Sequence, residues 1–472
     1  MLLMKFFNFI LKFSFFSTWS VFFIYLQSNL LHAADTVHHL KADSIQTELS
    51  SPQFQSAHQV YMYIRGLEQD ASRGNPYLRK ITGILGYIPR YFRNGIRYAS
   101  GYGAQIMNDP KVVQTIEGFF ISDDKSLGWY PIVDIGSERR PQIGLNFFFT
   151  QNPFESLVRG KFTGTRKYKT EARVAWRIQR KSRIWRLMLR SYMAADDDQE
   201  FYGFGFNPRL DARSYFNPET EEEFGRFYAR QYLLQLLAGV RPSGKWEFFL
   251  STQLQKREFE ELYAASDFIG NVFDLEKLGI AQHPIQYLYH EISLRYDSRK
   301  KNVYDAPGTR IESYLGLADG IGQDLSRFVK VGIDIQTSVP VILKNRMLKP
   351  RFAFNYLKNL KSEIPVAFTE YPVHQAFRGV SKRKLLRTDK YSFVPSIEYQ
   401  WPLSFNLSGA IFLDYLVVTN SLGYLPFADA PWAVGLAINF HSIDGELANM
   451  HFAAGSEGLR FSLNIGWENI LK

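Results

Sequence analysis

The sequence predicts an all-β transmembrane barrel, antiparallel and of about 16 strands, behind a short N-terminal segment with some helix. Three observations predict it. Apolar and polar side chains alternate with period two through many segments of about ten residues. Aromatics make up 16% of the 472 residues, with 40 Phe and 27 Tyr, yet mean hydropathy is only -0.21 and charged residues reach 22%. Beyond the N-terminal leader no apolar run approaches the ~20 residues of a helical span. Aromatics spread through alternating segments of modest hydropathy suit a lipid-facing barrel better than a helical bundle.

Residues 1–34 read as an export signal. Lys5 and Lys12 charge its start, Phe13–Leu26 is its apolar run, and Leu31-His32-Ala33-Ala34 supplies the small residues of a cleavage site near Ala33. A retained membrane helix is the alternative, but Lys12 and Gln27 bound a run too short to span. The chain contains no cysteine, which excludes disulfides, a thiolate metal site and lipidation at cysteine. The leader's two lysines belong to the formal +10, leaving +8. A basic balance is one mark of nucleic-acid binding, for which an exported chain has little use. Anionic headgroups of outer-membrane lipids and a basic lumen account for it instead.

Residues 35–128 differ in kind. Pro, Gly and Asn punctuate them, and Pro76–Leu85 and Lys111–Phe120 lean helical. They are expected to form a periplasmic segment resting in or under the barrel. The barrel itself is expected over 129–472. Trp129-Tyr130-Pro131-Ile132 opens it, and Gln142–Thr150 follows an Arg-Pro turn. In Tyr168–Arg180, Ala172, Val174, Trp176 and Ile178 oppose Glu171, Arg173, Arg177 and Gln179. In Arg183–Tyr192, Trp185, Leu187 and Leu189 oppose Arg186, Met188 and Arg190. In Trp246–Lys256, Trp246, Phe248, Leu250 and Leu254 oppose Glu247, Ser251, Gln253 and Gln255. A polar side rich in Arg and Gln suits a water-filled lumen. In lipid every backbone amide must be paired, so such strands must close on themselves. At roughly twenty-one residues per strand and connection, the length gives ~16 strands.

The stretch Tyr371–Val418 carries the chemistry. Strand-like Tyr391–Trp401 puts Ser396, Glu398 and Gln400 on the side opposite Phe393, Ile397, Tyr399 and Trp401. Strand-like Asn406–Val417 puts Ser408, Ala410, Phe412 and Asp414 opposite Leu407, Ile411, Leu413, Tyr415 and Val417. Each strand therefore has one inward carboxylate. Upstream lies Arg378-Gly379 in a basic loop with Lys382, Arg383, Lys384 and Arg387. A guanidinium can make two parallel hydrogen bonds to a carboxylate, so Glu398 and Asp414 are candidates to pin that loop inside the barrel.

Phe377-Arg378-Gly379-Val380, then Glu398-Tyr399-x-x-Pro402-Leu403, then Phe412-Leu413-Asp414, resembles the C-terminal half of the Omp85 superfamily barrel, the BamA/TamA or surface antigen D15 type. Three further places are similar to that family. Asp196–Asn207 resembles its acidic turn followed by Tyr-x-Gly-x-Gly-Asn, with Tyr202, Gly203 and Gly205, and Phe206 inserted before Asn207. Arg295–Gly308 resembles its Asp-Thr-Arg-Asp strand-turn, with Asp297, Arg299, Pro307 and Gly308. Gly455–Trp467 resembles its closing strand, with Leu459, Phe461, Leu463, Ile465 and Trp467 toward lipid. The family's POTRA domains are not recognisable in 35–128.

The resemblance implies an outer-membrane protein of insertion, assembly, or polypeptide or lipid translocation, working through a lateral seam between first and last strands and an Arg-Gly loop in the lumen. Its partners would be outer-membrane lipids and unfolded outer-membrane protein clients or periplasmic assembly proteins, with no nucleic acid and no cofactor. It would not be an enzyme: no Gly-x-Ser-x-Gly elbow, Walker loop or His-Glu-x-x-His occurs. Two alternatives are a passive channel with a basic, anion-favouring lumen and, below it, a lipolytic barrel. The nine histidines are scattered, and the Asp196–Asp198 run reads as a solvated turn rather than a calcium site.

Overall fold

The structure is a computed structural model. It describes Ser122 and residues 126–465, except 137–138, 152–155, 165–168, 180–183, 206, 261–266, 281–283, 300–306, 342–345, 373–376, 380–388, 405–406, 424, 426–429, 442–445 and 457. The expected leader, nearly all of the N-terminal segment, Val380 and Trp467 lie outside the described residues.

Seventeen strand segments follow in order: β1 (Leu127–Gly136), β2 (Arg139–Gln151), β3 (Ser156–Gly164), β4 (Lys169–Gln179), β5 (Trp185–Phe201), β6 (Gly225–Val240), β7 (Trp246–Glu260), β8 (Ile285–Asp297), β9 (Gly308–Gly320), β10 (Arg327–Pro340), β11 (Met347–Asn359), β12 (Tyr391–Ser404), β13 (Leu407–Tyr415), β14 (Val417–Thr419), β15 (Trp432–His441), β16 (Glu446–Gly455) and β17 (Gly458–Ile465). β13 and β14 flank Leu416 and keep one register on β12, with Ser396 opposite Asp414 and Phe393 opposite Val417. They are one strand, so the described residues form sixteen. Successive strands pair antiparallel, and β17 returns to β1, among the described residues through Val133–Gly136 against Ile465–Ser462.

An even strand count brings the chain in and out on one side, here the terminal side. The long connections, 202–224, 261–284 and 360–390, all lie on the opposite, far side. Short turns on one side and long loops on the other are the habit of outer-membrane barrels. Among the described residues no helix is long and apolar enough to cross a membrane.

Side chains divide as the alternation expects. On β7, Trp246, Phe248, Leu250 and Leu254 are exposed on the outer wall while Glu247, Ser251 and Gln255 are buried on the lumen side. Trp185, Leu187 and Leu189 on β5 and Ile397 on β12 are likewise outward. Trp401 shares Ile397's face but is covered, packed with Leu403 and Leu407.

Three details depart from the sequence expectation. The Asp196–Asp198 run is not a turn: it lies inside β5, where two residues, Asp197 and Asp198, oppose Tyr228 in a bulge. Such a bulge admits an extra residue without ending the strand. Arg140-Pro141 is no turn either; both lie in β2 opposite Ile135, a bulge that spares proline a ladder bond. The last strand begins at Gly458, because Gly455 ends β16 and pairs with Gly458 across the turn. His290 is on the outward face of β8, where its Nδ1 meets Thr252 Oγ1 at 3.0 Å.

Aromatic rings on the lumen face lie over glycines of the next strand. Tyr314 of β9 covers Gly332 of β10, and a Cβ there would stand 2.1 Å from the ring. The vacancy lets the Tyr314 hydroxyl reach one strand further and donate to Asn355 Oδ1 at 2.8 Å. Gly332→Ala is therefore expected to overpack the wall by about 1–3 kcal/mol. It should lower the temperature at which the folded band shifts on a detergent gel. Gly244→Ala, in a turn with nothing within 4 Å, should leave that temperature unchanged.

Candidate functional site

The loop 360–390 joins β11 to β12 from the far side, yet its middle reaches the lumen wall. Phe377 is buried among Ala353, Val394, Leu416, Val418 and Ala433, inward residues of β11, β12, β14, β15 and the Leu416 break. Burying an aromatic ring of this size is worth about 2–3 kcal/mol, enough to favour the inserted loop over a solvated one. Gly379 follows so closely against β15 that a Cβ would stand 2.4 Å from that of Ala433. Here glycine is required by contact rather than by backbone angle.

Arg378 sits between them. Its backbone N–H donates to Asp414 Oδ2 at 3.1 Å, Nε to the same oxygen at 2.8 Å, and Nη2 to Asp414 Oδ1 at 2.7 Å. Nη1 donates to Glu398 Oε2, and Nη2 also reaches Ser396 Oγ at 3.2 Å. The Ser396 hydroxyl donates in turn to Asp414 Oδ1. The guanidinium lies 3.6 Å over the Phe412 ring, which itself occupies the space above Gly435 of β15. Asp414 is fully buried and Glu398 largely so. One cation thus joins two strands through charge-assisted bonds in a site with little water to compete.

The same loop is held at two more places. In the turn Phe368–Glu370, Glu370 is buried and accepts from Lys330 Nζ at 2.9 Å, Tyr287 Oη at 2.6 Å and Arg257 Nη1. Burial pushes its carboxyl up, but Lys330 and Arg257 outweigh that and hold it at about 2. At the loop's end Asp389, also buried, accepts from Arg213 Nη1 at 2.8 Å and Nη2 at 2.9 Å. Sequence reading singled out neither acid.

Toward the terminal side, Glu247 collects Arg186 at 3.2 Å, Arg241 at 3.0 Å and Arg295 at 3.6 Å, and Arg295 and Arg310 share Glu312. Among the described residues no cluster of three His, Cys, Asp or Glu could hold a metal.

No family model matches the sequence, and no curated protein resembles it. Among solved structures it is similar to BamA from Haemophilus ducreyi lacking POTRA domains 1–3, at 11% identity and TM-score 0.51, over 72% of this chain and 70% of that one. The likeness is one of fold: a barrel of the BamA kind. CdiB from Acinetobacter baumannii (10% identity, TM-score 0.46) and from Escherichia coli (9%, 0.45) also align over 72% of this chain, covering 60% and 62% of their own lengths.

Of the Omp85-type motif residues, the structure brings Phe377, Arg378, Gly379, Glu398 and Asp414 together, while Val380 lies outside the described residues. The others are elsewhere. Tyr202 donates to Glu200 Oε2 at 2.9 Å, and Gly203 and Gly205 hold left-handed angles of +93° and +72°. They bend the chain leaving β5 so that the Phe204 N–H reaches Ser214 Oγ at 2.9 Å. In the terminal-side turn, Arg299 Nη2 pairs with Asp297 Oδ2 at 2.8 Å. Gly308, at φ +141°, leaves room for Ser298 and Arg299 beside it, and Pro307 precedes it exposed.

Two outcomes follow from this geometry. Arg378→Ala strands two carboxylates and should cost about 3–5 kcal/mol in barrel unfolding, with Arg378→Lys restoring only part because an ammonium has no planar fork. The Glu370 carboxyl is lower in the folded chain than its ordinary 4.5, so its contribution is present above that value and lost as pH falls toward about 2. Unfolding temperatures of the wild type and of Glu370→Gln should therefore differ by a constant amount at neutral pH and converge in acid.

Proposed function

We propose that the chain is an outer-membrane protein of Omp85 type that inserts or translocates other molecules, through a seam between β1 and β17 and the lumenal Arg378 loop. The observation that carries this reading is the Arg378 seat itself. A passive pore has no need to bury a guanidinium between carboxylates of two wall strands, whereas a machine whose wall changes shape needs a loop that registers strand position. The β1–β17 contact supports the reading from the other side. There the first and last strands meet edge to edge, and a strand edge that parts from its neighbour offers backbone groups to an incoming strand. The clients would be unfolded outer-membrane polypeptides, with membrane lipid as the receiving phase, and no catalytic group takes part. The seated loop and the seam act together: one holds the β12–β15 wall, the other lies where the wall can part.

A second reading is favoured by the arginines around Glu247 and Glu312. Four guanidiniums share two carboxylates on the lumen side, a surplus that would draw anions through an open pore.

One experiment separates them. Ile135 and Leu463 are directly opposite across the seam, and the chain has no cysteine of its own. Ile135→Cys/Leu463→Cys in proteoliposomes should lose the ability to speed folding of an added unfolded barrel protein when oxidised and regain it on reduction. Equal acceleration by both redox forms would refute the seam. A large, steady, anion-selective current with no acceleration would establish the channel instead.

A further inference from the structure

The turn Phe368–Glu370 does something the Arg378 seat does not. Phe368 is fully buried where the far-side loops meet: its ring lies 4.3 Å from that of Phe201 at the end of β5 and 5.1 Å from that of Phe227 at the start of β6. Val272, Phe273 and Leu278 of the 261–284 loop complete the cluster. Phe368 N–H donates to Leu278 O at 3.1 Å, and Gly279 approaches Ala367 so closely that a Cβ would stand 2.8 Å from its nitrogen. Two residues on, Glu370 meets three wall strands at once, through Arg257 of β7, Tyr287 of β8 and Lys330 of β10, while Arg257 also donates to Thr369 Oγ1. Three residues therefore join the far-side loop cluster to the lumen wall.

We propose that Glu370 is a second seat for the Arg378 loop, acting separately from it, and that this seat keeps the far-side mouth of the lumen shut. The inference rests on reading that loop as the barrel's working element. The two seats grip different parts of the wall, β7, β8 and β10 for Glu370 and β12 to β15 for Arg378. Eight residues separate them in sequence, a tether of at most about 29 Å. Releasing Arg378 leaves the loop anchored by Glu370 and the far-side cluster in place. Releasing Glu370 leaves Arg257 and Lys330 without their shared carboxylate, and removes the one carboxylate that ties the turn to all three strands, leaving only the apolar contacts of Phe259, Val366 and Ala367 and the Arg257–Thr369 bond. The cluster and the turn then leave the mouth together. Glu370 is a positioning residue: it sets where the loop enters the lumen, and so where Arg378 is presented.

Single-channel recording in planar bilayers tests this, with Glu370→Gln, Glu370→Asp and Arg378→Ala compared with wild type and folding checked by gel mobility. Glu370→Gln is expected to raise the open probability roughly tenfold or more, Glu370→Asp to restore closure in part, and Arg378→Ala to raise it far less. If Glu370→Gln yields no folded barrel, Arg257→Gln carries the test, since Lys330 and Tyr287 remain on Glu370; a smaller rise is then expected. Unchanged opening in the folded Glu370→Gln or Arg257→Gln protein overturns the proposal, as does opening by Arg378→Ala equal to that of Glu370→Gln. The folding-acceleration assay is read separately. Loss of acceleration with normal closure would count against the Omp85-type function, not against the Glu370 seat.

Discussion

Everything distinctive about this barrel depends on one buried ion cluster, the guanidinium of Arg378 between Asp414 and Glu398. Taking a cation and two carboxylates out of water is costly, and such a cluster is tolerated only when nearly every donor and acceptor is matched. Here the matching is close to complete: Asp414 takes bonds from the Arg378 backbone, Nε and Nη2 and from Ser396, while Glu398 takes Nη1. The Phe412 ring supports the guanidinium from below, and Gly435 leaves room for the ring. Six residues from three strands and one loop are thereby committed to one geometry. A cluster of this kind contributes a fixed arrangement more than it contributes net stability.

That arrangement constrains the rest. The loop can enter the lumen only if Phe377 finds its apolar pocket and Gly379 clears Ala433, and it can stay only if its ends are held. Glu370 and Asp389 hold them, each buried and each met by arginine. The far-side loops pack on the first of these ends through Phe368. The wall in turn is stiffened by rings over glycines, which let polar tips such as the Tyr314 hydroxyl cross a neighbouring strand. Wall and seated loop thus form one packed system, and the seam proposed above joins β1 to β17.

The sequence made much of this legible, for a physical reason. In a barrel, side-chain parity is a direct reading of inside and outside, so Glu398 and Asp414 could be placed on the lumen side from their neighbours alone. The number of strands followed from length in the same way. What parity does not encode is contact between distant segments. Glu370 lies in a short 3-10 turn without alternation, and its partners Arg257, Tyr287 and Lys330 come from three separate strands. Asp389 had no visible partner until Arg213 was brought to it by the bend at Gly203 and Gly205. Phe412 showed its inward side but not its role beneath Arg378. The acidic Asp196–Asp198 run misled because carboxylates usually mark turns, whereas a bulge lets a long strand carry them.

The central claim, that Arg378 and Asp414 act as one unit holding loop to wall, is tested most directly by a double-mutant cycle on barrel unfolding. The free energies of unfolding of wild type, Arg378→Ala, Asp414→Asn and the double variant would be measured in lipid vesicles under urea. The account predicts that the double variant loses far less than the sum of the singles, with a coupling of about 2 kcal/mol or more. Additivity within about 0.5 kcal/mol would contradict it, because the two residues would then contribute independently of their contact.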